Sequence, residues 1–256
     1  VDIYYLVQNI YSFQFFSFLT NNLSKLIYLC FNHFKLYAMK FFLDTANLAQ
    51  IREANALGVL DGVTTNPSLM AKEGVQGAEG CKQHYLKICE IVNGDVSAEV
   101  LATDFEGMVK EGKELASLHP NIVVKIPCIA EGIKAIRYLY GKGIRTNCTL
   151  VFSPGQALLA AKAGATYVSP FVGRLDDISS DGIDLVRKIV EMYSIYGFDT
   201  QVLAASIRHT QHIIQCIEVG AHVATCPLSA IVGLLKHPLT DSGLATFLAD
   251  SKKYME

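Results

Sequence analysis

The stretch NIVVKIPC, residues 121–128, guides the interpretation of the whole chain. Four apolar residues surround Lys125, and a proline follows two positions later. An apolar run of this length is typical of a buried strand in a parallel sheet, and a proline is typical of a strand end. Lys125 therefore occupies a place where an ammonium group loses its hydration at a high cost in free energy. A lysine at the end of a buried strand needs a chemical reason.

From Met39 onward, short apolar runs alternate with longer amphipathic stretches. In one amphipathic stretch Ile133, Ile136 and Tyr140 recur at helical spacing, and Gly141 follows as a stop signal. We predict strands at residues 40–44, 62–65, 97–100, 122–126, 144–149, 166–170, 201–206 and 222–226. Eight such strand–helix units predict an α/β fold, a single (β/α)8 TIM barrel. A doubly wound sheet is the alternative, but no GxGxxG motif follows the first strand, so its dinucleotide-binding form lacks its signature.

Composition argues against several classes of function. The chain has 22 Lys and Arg against 24 Asp and Glu, a formal net charge of −2, so no basic excess is present to bind nucleic acid. The 7 cysteines are odd in number and have no CxxC spacing. That pattern is typical of reduced thiols in a cytoplasmic protein, not of a disulfide framework or a zinc site. The 7 histidines contain no HxxxH pair, so we expect no metal.

Residues 1–38 differ in composition from the rest of the chain. They contain no Gly, Pro, Glu or Arg and hold 11 of the 25 Phe and Tyr residues. A secretory signal should begin with a cation where Asp2 stands, and a transit peptide should be rich in arginine. Polar residues such as Gln8 and Lys25 interrupt the apolar run, so we expect no membrane span. We predict a non-native, upstream-translated extension outside the fold, a piece of a longer precursor being the alternative, and place the barrel in residues 39–256.

Polar residues gather at the ends of the predicted strands, where a barrel of this type carries its chemistry. They are Asp44, Thr65, Asn66, Glu99, Lys125, Asn147, Thr149, Ser169, Ser206 and Arg208. Single members have structural explanations, such as Asp44 or Asn66 as a helix cap and Thr149 as a packing residue. Polar groups that converge on an apolar barrel mouth are nevertheless unfavourable unless they bind something. The complete set predicts a binding or catalytic site.

Five long motifs carry a family resemblance. They are FLDTAN (42–47), GVTTNPSL (62–69), VVKIP (123–127), SPFVGRLDD (169–177) and VLAAS (202–206). In this order they resemble the small transaldolases and their relative fructose-6-phosphate aldolase, from Met39 to the C-terminus. The resemblance implies a (β/α)8 barrel that needs no cofactor and binds its ketose substrate covalently through a lysine.

The resemblance assigns the chemistry to four residues. Lys125 resembles the lysine that forms a Schiff base, since removal from water favours the uncharged amine that attacks a ketone carbonyl. Asp44 resembles the acid/base carboxylate that takes the proton from the C4 hydroxyl during cleavage. Glu99 resembles the carboxylate that works through a water, which Thr149 helps to hold. Two carboxylates in different environments can run both proton transfers near neutral pH.

The resemblance also assigns the substrate contacts. It places Asn66, Asn147 and Ser169 at the hydroxyls of the dihydroxyacetone unit, and Arg174, Ser206 and Arg208 at the phosphate. Guanidinium groups suit phosphate because they donate two parallel hydrogen bonds, and we predict that Arg208 opens a helix whose amino end adds positive potential. On the residues alone, Arg174 is equally well explained by an ion pair with Asp176 or Asp177, and Arg208 by a solvated helix position.

Glu99 and Phe171 separate the two activities of the family. The aldolase typically carries Gln and Tyr at these places, and Asn147 and Ser169 also fit the transaldolase pattern better. A carboxylate and an apolar ring leave water poorly placed to protonate the enamine, which then survives until an acceptor aldose arrives.

The resemblance therefore implies a transaldolase of the pentose phosphate pathway. It would convert sedoheptulose 7-phosphate and glyceraldehyde 3-phosphate to erythrose 4-phosphate and fructose 6-phosphate. Its partners would be phosphorylated ketoses and aldoses, with neither nucleic acid nor membrane. An aldolase that releases free dihydroxyacetone, or a noncatalytic barrel that binds sugar phosphates, are the alternatives. Relatives of this compact type form rings of five that stack into ten, which implies a homo-oligomer, either a pentamer or a decamer.

Overall fold

Eight short strands alternate with helices in the computed structural model, which describes residues 38–255. All strand pairs are parallel, and the last strand pairs with the first, so the sheet closes into a barrel. The strands are β1 (Lys40–Asp44), β2 (Gly62–Thr64), β3 (Asp95–Glu99), β4 (Ile122–Pro127), β5 (Thr146–Val151), β6 (Tyr167–Pro170), β7 (Gln201–Ala204) and β8 (Val223–Cys226). The predicted (β/α)8 barrel is confirmed. The predicted extension, residues 1–38, lies outside the described residues except for Ala38.

The helices follow the strands in the order expected for a barrel. They are α1 (Leu48–Ala56), α2 (Pro67–Lys72), α3 (Gly77–Ile91), α4 (Phe105–Ala116), α5 (Ala130–Tyr140), α6 (Pro154–Ala163), α7 (Val172–Asp176), α8 (Gly182–Tyr196), α9 (Thr210–Glu218), α10 (Leu228–Gly233) and α11 (Pro238–Met255). Side-chain caps begin several of them; Ser153 accepts a hydrogen bond from Gln156 N at 3.2 Å, with Pro154 in the first turn. Within residues 38–255 no helix is long and apolar enough to span a membrane.

The core has two layers because successive strand residues face opposite sides of the sheet. The outward layer, which includes Val124, Ile126, Ile136 and Leu139, packs the strands against the helices. The inward layer is an apolar plug of buried residues: Phe42, Val123, Tyr167, Leu203, Ala205 and Val223. Residues two positions further along each strand face the same interior, one layer closer to the carboxyl ends of the strands. This places Asp44, Lys125 and Ser169 directly above the plug.

Strand boundaries differ from the prediction where the backbone departs from regular geometry. β5 runs two residues beyond the predicted 144–149, and its register to β6 shifts between Cys148 and Val151, where Leu150 adopts a φ of 59°. β7 ends at Ala204 and not at the predicted residue 206, because Ser206 has a φ of 58° and leaves the extended conformation. Both irregularities lie at the mouth, where they turn the chain into the loops of the site.

Candidate active site

Lys125 is enclosed at the carboxyl end of β4, where it is 6% exposed. Its Nζ donates a hydrogen bond to the carbonyl oxygen of Thr65 at 2.9 Å and lies 3.1 Å from Oε2 of Glu99. The ion pair follows from strand register, because Glu99 of β3 is the direct neighbour of Lys125 in the parallel ladder. The ladder and these two contacts hold the amine at one place inside the barrel.

Asp44 ends β1 and is half-buried at the same mouth. Burial raises the pKa of its carboxyl group, and the nearby Lys125 and a hydrogen bond from Thr64 oppose that rise. The Thr64 hydroxyl donates to Asp44 Oδ1 at 2.7 Å. Asp44 does not cap the following helix, since Asn47 accepts the capping bond from Gln50 N. A carboxyl group whose pKa lies above its ordinary value is suited to both accepting and returning a proton.

Asn147 and Ser169 belong to one buried polar network. Asn147 is fully buried on β5, beside Lys125 in the ladder. Its Nδ2 donates to Oγ of Ser97 at 3.1 Å, and its Oδ1 accepts from Oγ of Ser169 at 2.7 Å. These two bonds fix the orientation of the amide. They leave the second amide hydrogen for a substrate oxygen.

Thr149 and Asn66 differ in how their polar atoms are used. Thr149 is 1% exposed, and its Oγ1 has no hydrogen-bond partner among residues 38–255. A buried hydroxyl of this kind suits a bound water or a substrate oxygen. Asn66 caps α2, because its Oδ1 accepts from Leu69 N at 2.9 Å. The structural explanation of Asn66 is thus confirmed, and its amide nitrogen is the part that can contact a ligand.

The three predicted phosphate residues converge at one corner of the mouth. The short helix α7 packs against the chain that leaves β7, and Gly173 N donates to the carbonyl oxygen of Ser206 at 3.1 Å. A Cβ on Gly173 would lie 2.6 Å from Nε of Arg208 and from the Ser206 oxygen. Glycine is therefore needed for this close approach. Arg174 follows Gly173 directly and shares the corner.

The two arginines have different partners. Arg208 forms a bidentate ion pair with Asp177, and both side chains are about half exposed. The ion-pair explanation that the sequence offered for Arg174 thus applies to Arg208. The guanidinium of Arg174 lies 5.2 Å from the centre of the Phe171 ring. The prediction that Arg208 opens a helix is wrong, because His209 is the N-cap of α9 and Arg208 precedes that cap.

His212 supports this corner and was not identified from the sequence. Its Nδ1 accepts a hydrogen bond from the backbone N–H of Arg208 at 3.4 Å, and its Nε2 lies 3.1 Å from Oδ2 of Asp176. Burial lowers the pKa of His212, and the nearby His209 lowers it further, while Asp176 acts in the opposite direction. The neutral ring accepts through one nitrogen and donates through the other. No motif spacing marks such a histidine as a support for an arginine.

The sequence pattern also failed to identify several hydroxyl groups around the site. Thr225 lies with its Oγ1 2.6 Å from Oγ1 of Thr64, and both residues are buried. Tyr85 of α3 is buried with its hydroxyl 3.5 Å from Oγ1 of Thr65, and burial raises the pKa of the phenol. Threonine and tyrosine are common strand and core residues, so the pattern gave them no functional signal.

An enclosed lysine beside acidic side chains, at the mouth of a (β/α)8 barrel, defines a protein suited to Schiff-base chemistry on carbonyl compounds. The family model Transaldolase/Fructose-6-phosphate aldolase matches residues 41–256. The chain belongs to the transaldolase/fructose-6-phosphate aldolase family. The resemblance seen in its five motifs is confirmed.

Individual relatives agree with this membership. The chain is 83% identical over 215 residues to a probable transaldolase of Parabacteroides distasonis, a match that covers 84% of this chain and 99% of the relative. It is 75% identical over 218 residues to a probable transaldolase of Porphyromonas gingivalis, covering 85% of this chain and 99% of the relative. Among solved structures, thiamine phosphate pyrophosphorylase from Pyrococcus furiosus matches with a TM-score of 0.52 at 18% identity, over 76% of this chain and 88% of that one. That likeness concerns the fold alone.

Proposed function

We propose that this chain is a transaldolase that transfers a dihydroxyacetone unit between sedoheptulose 7-phosphate and glyceraldehyde 3-phosphate, giving erythrose 4-phosphate and fructose 6-phosphate. The observation that carries the proposal is the setting of Lys125. Its amine is enclosed in the barrel, donates a hydrogen bond to the Thr65 carbonyl oxygen and lies 3.1 Å from the Glu99 carboxylate. An amine held beside a proton acceptor is equipped to attack a ketone.

The first step joins Lys125 to C2 of the ketose. Glu99 takes the ammonium proton, the free amine adds to the carbonyl carbon, and the oxygen leaves as water after it receives a proton. The 3.1 Å contact puts Glu99 within reach of the nitrogen, directly or through one water. The buried hydroxyl of Thr149 has no hydrogen-bond partner among residues 38–255, so it is free to bind that water.

The second step breaks the bond between C3 and C4. Asp44 accepts the proton of the C4 hydroxyl, the aldehyde leaves, and the bonding electrons pass into the iminium to form an enamine. The same carboxyl group returns its proton when the enamine attacks an acceptor aldose. In this proposal Asn147 and Ser169 bind the hydroxyls of the three-carbon unit, and their mutual hydrogen bond supports it by fixing both side chains.

Phe171 and Glu99 favour transfer over release of free dihydroxyacetone. The Phe171 ring packs 5.5 Å from the ring of Phe152 and 5.2 Å from the guanidinium of Arg174. The two phenylalanine rings form an apolar surface that carries no hydroxyl to protonate the enamine. The names of the relatives, which are probable transaldolases, support the same choice over an aldolase.

A pair of assays on the same enzyme tests this function. Fructose 6-phosphate with erythrose 4-phosphate should give sedoheptulose 7-phosphate at a steady rate, whereas fructose 6-phosphate alone should release almost no dihydroxyacetone. Free dihydroxyacetone as the main product in both reactions would assign the chain to the aldolase side. Binding without turnover in either reaction would leave only the noncatalytic alternative.

We propose further that the enzyme is a cytoplasmic homo-oligomer, a pentamer or a decamer. Helix α11 has no buried residue within the described residues 38–255, and Leu239, Phe247 and Leu248 are 73%, 73% and 56% exposed. Apolar side chains in such numbers on one helix suit contact with a second copy. The cysteines of the described residues are free thiols, as a reducing compartment requires. Light scattering should give a mass of five or ten chains, and a smaller mass for a chain that ends before Pro238; a monomeric full chain would contradict the proposal.

A further inference from the structure

A chain of three side chains crosses the inside of the barrel from β8 to β1. Thr225 Oγ1 lies 2.6 Å from Thr64 Oγ1, which in turn lies 2.7 Å from Asp44 Oδ1. Both threonines are 2% exposed. In the ladder Thr64 is the neighbour of Asp44, whereas Thr225 is the neighbour of Phe42 on the other edge of β1. Hydroxyls from the two strands beside β1 therefore form a hydrogen-bonded series in which Thr64 contacts the carboxylate and Thr225 contacts Thr64.

The number of hydroxyl protons determines which group is the donor in each of these two hydrogen bonds. Each threonine hydroxyl carries one proton, and Thr64 donates its own to Asp44. The proton between the two threonines must then come from Thr225. When Asp44 takes up a proton on Oδ1, both hydroxyls can rotate, so that Asp44 donates to Thr64 and Thr64 donates to Thr225. The three side chains can thus keep their hydrogen bonds whether the carboxyl group of Asp44 is charged or neutral.

We propose that Thr64 and Thr225 are positioning residues of the reaction, which form a hydroxyl relay that orients Asp44 and favours its charged form. This inference rests on the proposed function, in which Asp44 takes the proton of the substrate hydroxyl. Thr64 acts by direct donation to the carboxylate. Thr225 acts only through Thr64, whose hydroxyl becomes a stronger donor when it accepts a hydrogen bond itself.

The other groups around Asp44 make the carboxylate sensitive to this relay. Lys125 on β4 and Lys72 at the end of α2 favour the charged form, and the thiol of Cys226 on β8 is buried close by. Burial is the largest influence, and it raises the pKa of Asp44 above its ordinary value despite both lysines and Thr64. Loss of a hydrogen-bond donor should raise that pKa further.

The test compares the pH dependence of kcat/KM in the full chain and in isosteric variants, with fructose 6-phosphate and erythrose 4-phosphate as substrates. Asp44 must be charged to act as the base, so a higher pKa moves the acidic limb of the profile to higher pH. Thr64→Val should move the limb by about one pH unit. Thr225→Val should move it by a few tenths of a unit, and Thr225→Ser, which keeps the hydroxyl, should not move it.

The double variant provides the decisive comparison. Thr64→Val combined with Thr225→Val should show the same shift as Thr64→Val alone, because Thr225 has no route to Asp44 without Thr64. Thr146→Val is the matched control: Oγ1 of Thr146 is buried on β5 without a partner among residues 38–255, and its loss should leave the limb in place. Additive shifts, or a Thr225→Val variant that loses thermal stability without a shift, would overturn the relay.

A direct titration separates this inference from the proposed function. The carboxyl carbon of Asp44, followed by NMR in the wild type and in the same variants, reports the pKa of Asp44 without reliance on turnover. The relay predicts the same order of shifts in this titration. A wild type without transferase activity would overturn the proposed function, and the titration would still decide the relay.

Discussion

Replacement of Arg174 or Arg208 by alanine should weaken the binding of phosphorylated substrates selectively. Both residues lie at the corner formed by α7 and the end of β7, and both carry a guanidinium suited to bidentate contact with phosphate. We expect a higher KM for fructose 6-phosphate in each variant. Chemistry at Lys125 should be little affected, because the arginines belong to the corner and not to the hydrogen-bond partners of the lysine.

The structure predicts that Arg174→Ala and Arg208→Ala raise the KM for fructose 6-phosphate by different factors. A hydrogen bond to a charged group contributes about 1.5–3 kcal/mol, which corresponds to roughly 10- to 150-fold in affinity. Arg174 should show this full range, since its contact with the Phe171 ring does not occupy its donors. Arg208 must first give up its bidentate pair with Asp177. We therefore expect a smaller loss for Arg208→Ala, about 5- to 30-fold in KM.

The assay measures kcat and KM for fructose 6-phosphate and, in parallel, for unphosphorylated fructose as donor. Arg187→Ala is the matched control, because Arg187 is a partly exposed arginine on α8 that pairs with Asp184 and Glu191. This control should leave both substrates unchanged. Equal losses on both donors in Arg174→Ala or Arg208→Ala would refute the phosphate assignment. A larger rise in KM for Arg208→Ala than for Arg174→Ala would show that the Asp177 pair does not reduce the contribution of Arg208 to phosphate binding.

Three further predictions concern the barrel mouth and the start of the chain. Phe171→Tyr should raise the ratio of free dihydroxyacetone to transferred product, because the new hydroxyl can protonate the enamine or order a water that does; Glu99→Gln should raise it further. An unchanged ratio would mean that Phe171 only packs against Phe152. A chain that starts at Met39 should fold and show full specific activity; insolubility of that chain beside a soluble longer one would contradict the predicted extension. Asp44→Asn should lower kcat by about 10²- to 10⁴-fold while borohydride still traps the uncleaved ketose, and loss of that adduct would show that the residue acts earlier.

The barrel could be predicted because its strands are buried on both faces and appear as apolar runs. Residues 122–126 and 222–226 were predicted within one residue of β4 and β8. A bulge leaves no such pattern, since it depends on how two strands meet. The positive φ of Leu150 and the register shift beside it moved β5 away from its predicted bounds.

Strand pairing determines which parts of the site could be predicted from the sequence. Glu99 and Lys125 end adjacent strands, so topology alone brings them together. Thr225 meets Thr64 across 161 positions of sequence, and threonine in an apolar run is an ordinary strand residue. The pair between Arg208 and Asp177 depends on where α7 packs, which local sequence does not determine.

Borohydride reduction with fructose 6-phosphate, followed by peptide mapping, identifies the amine that carries the three-carbon unit. We predict a dihydroxyacetone-derived mass on the peptide that contains Lys125, and no such mass anywhere in a Lys125→Met variant. A modified Lys72 or Lys134, with Lys125 untouched, would contradict the account.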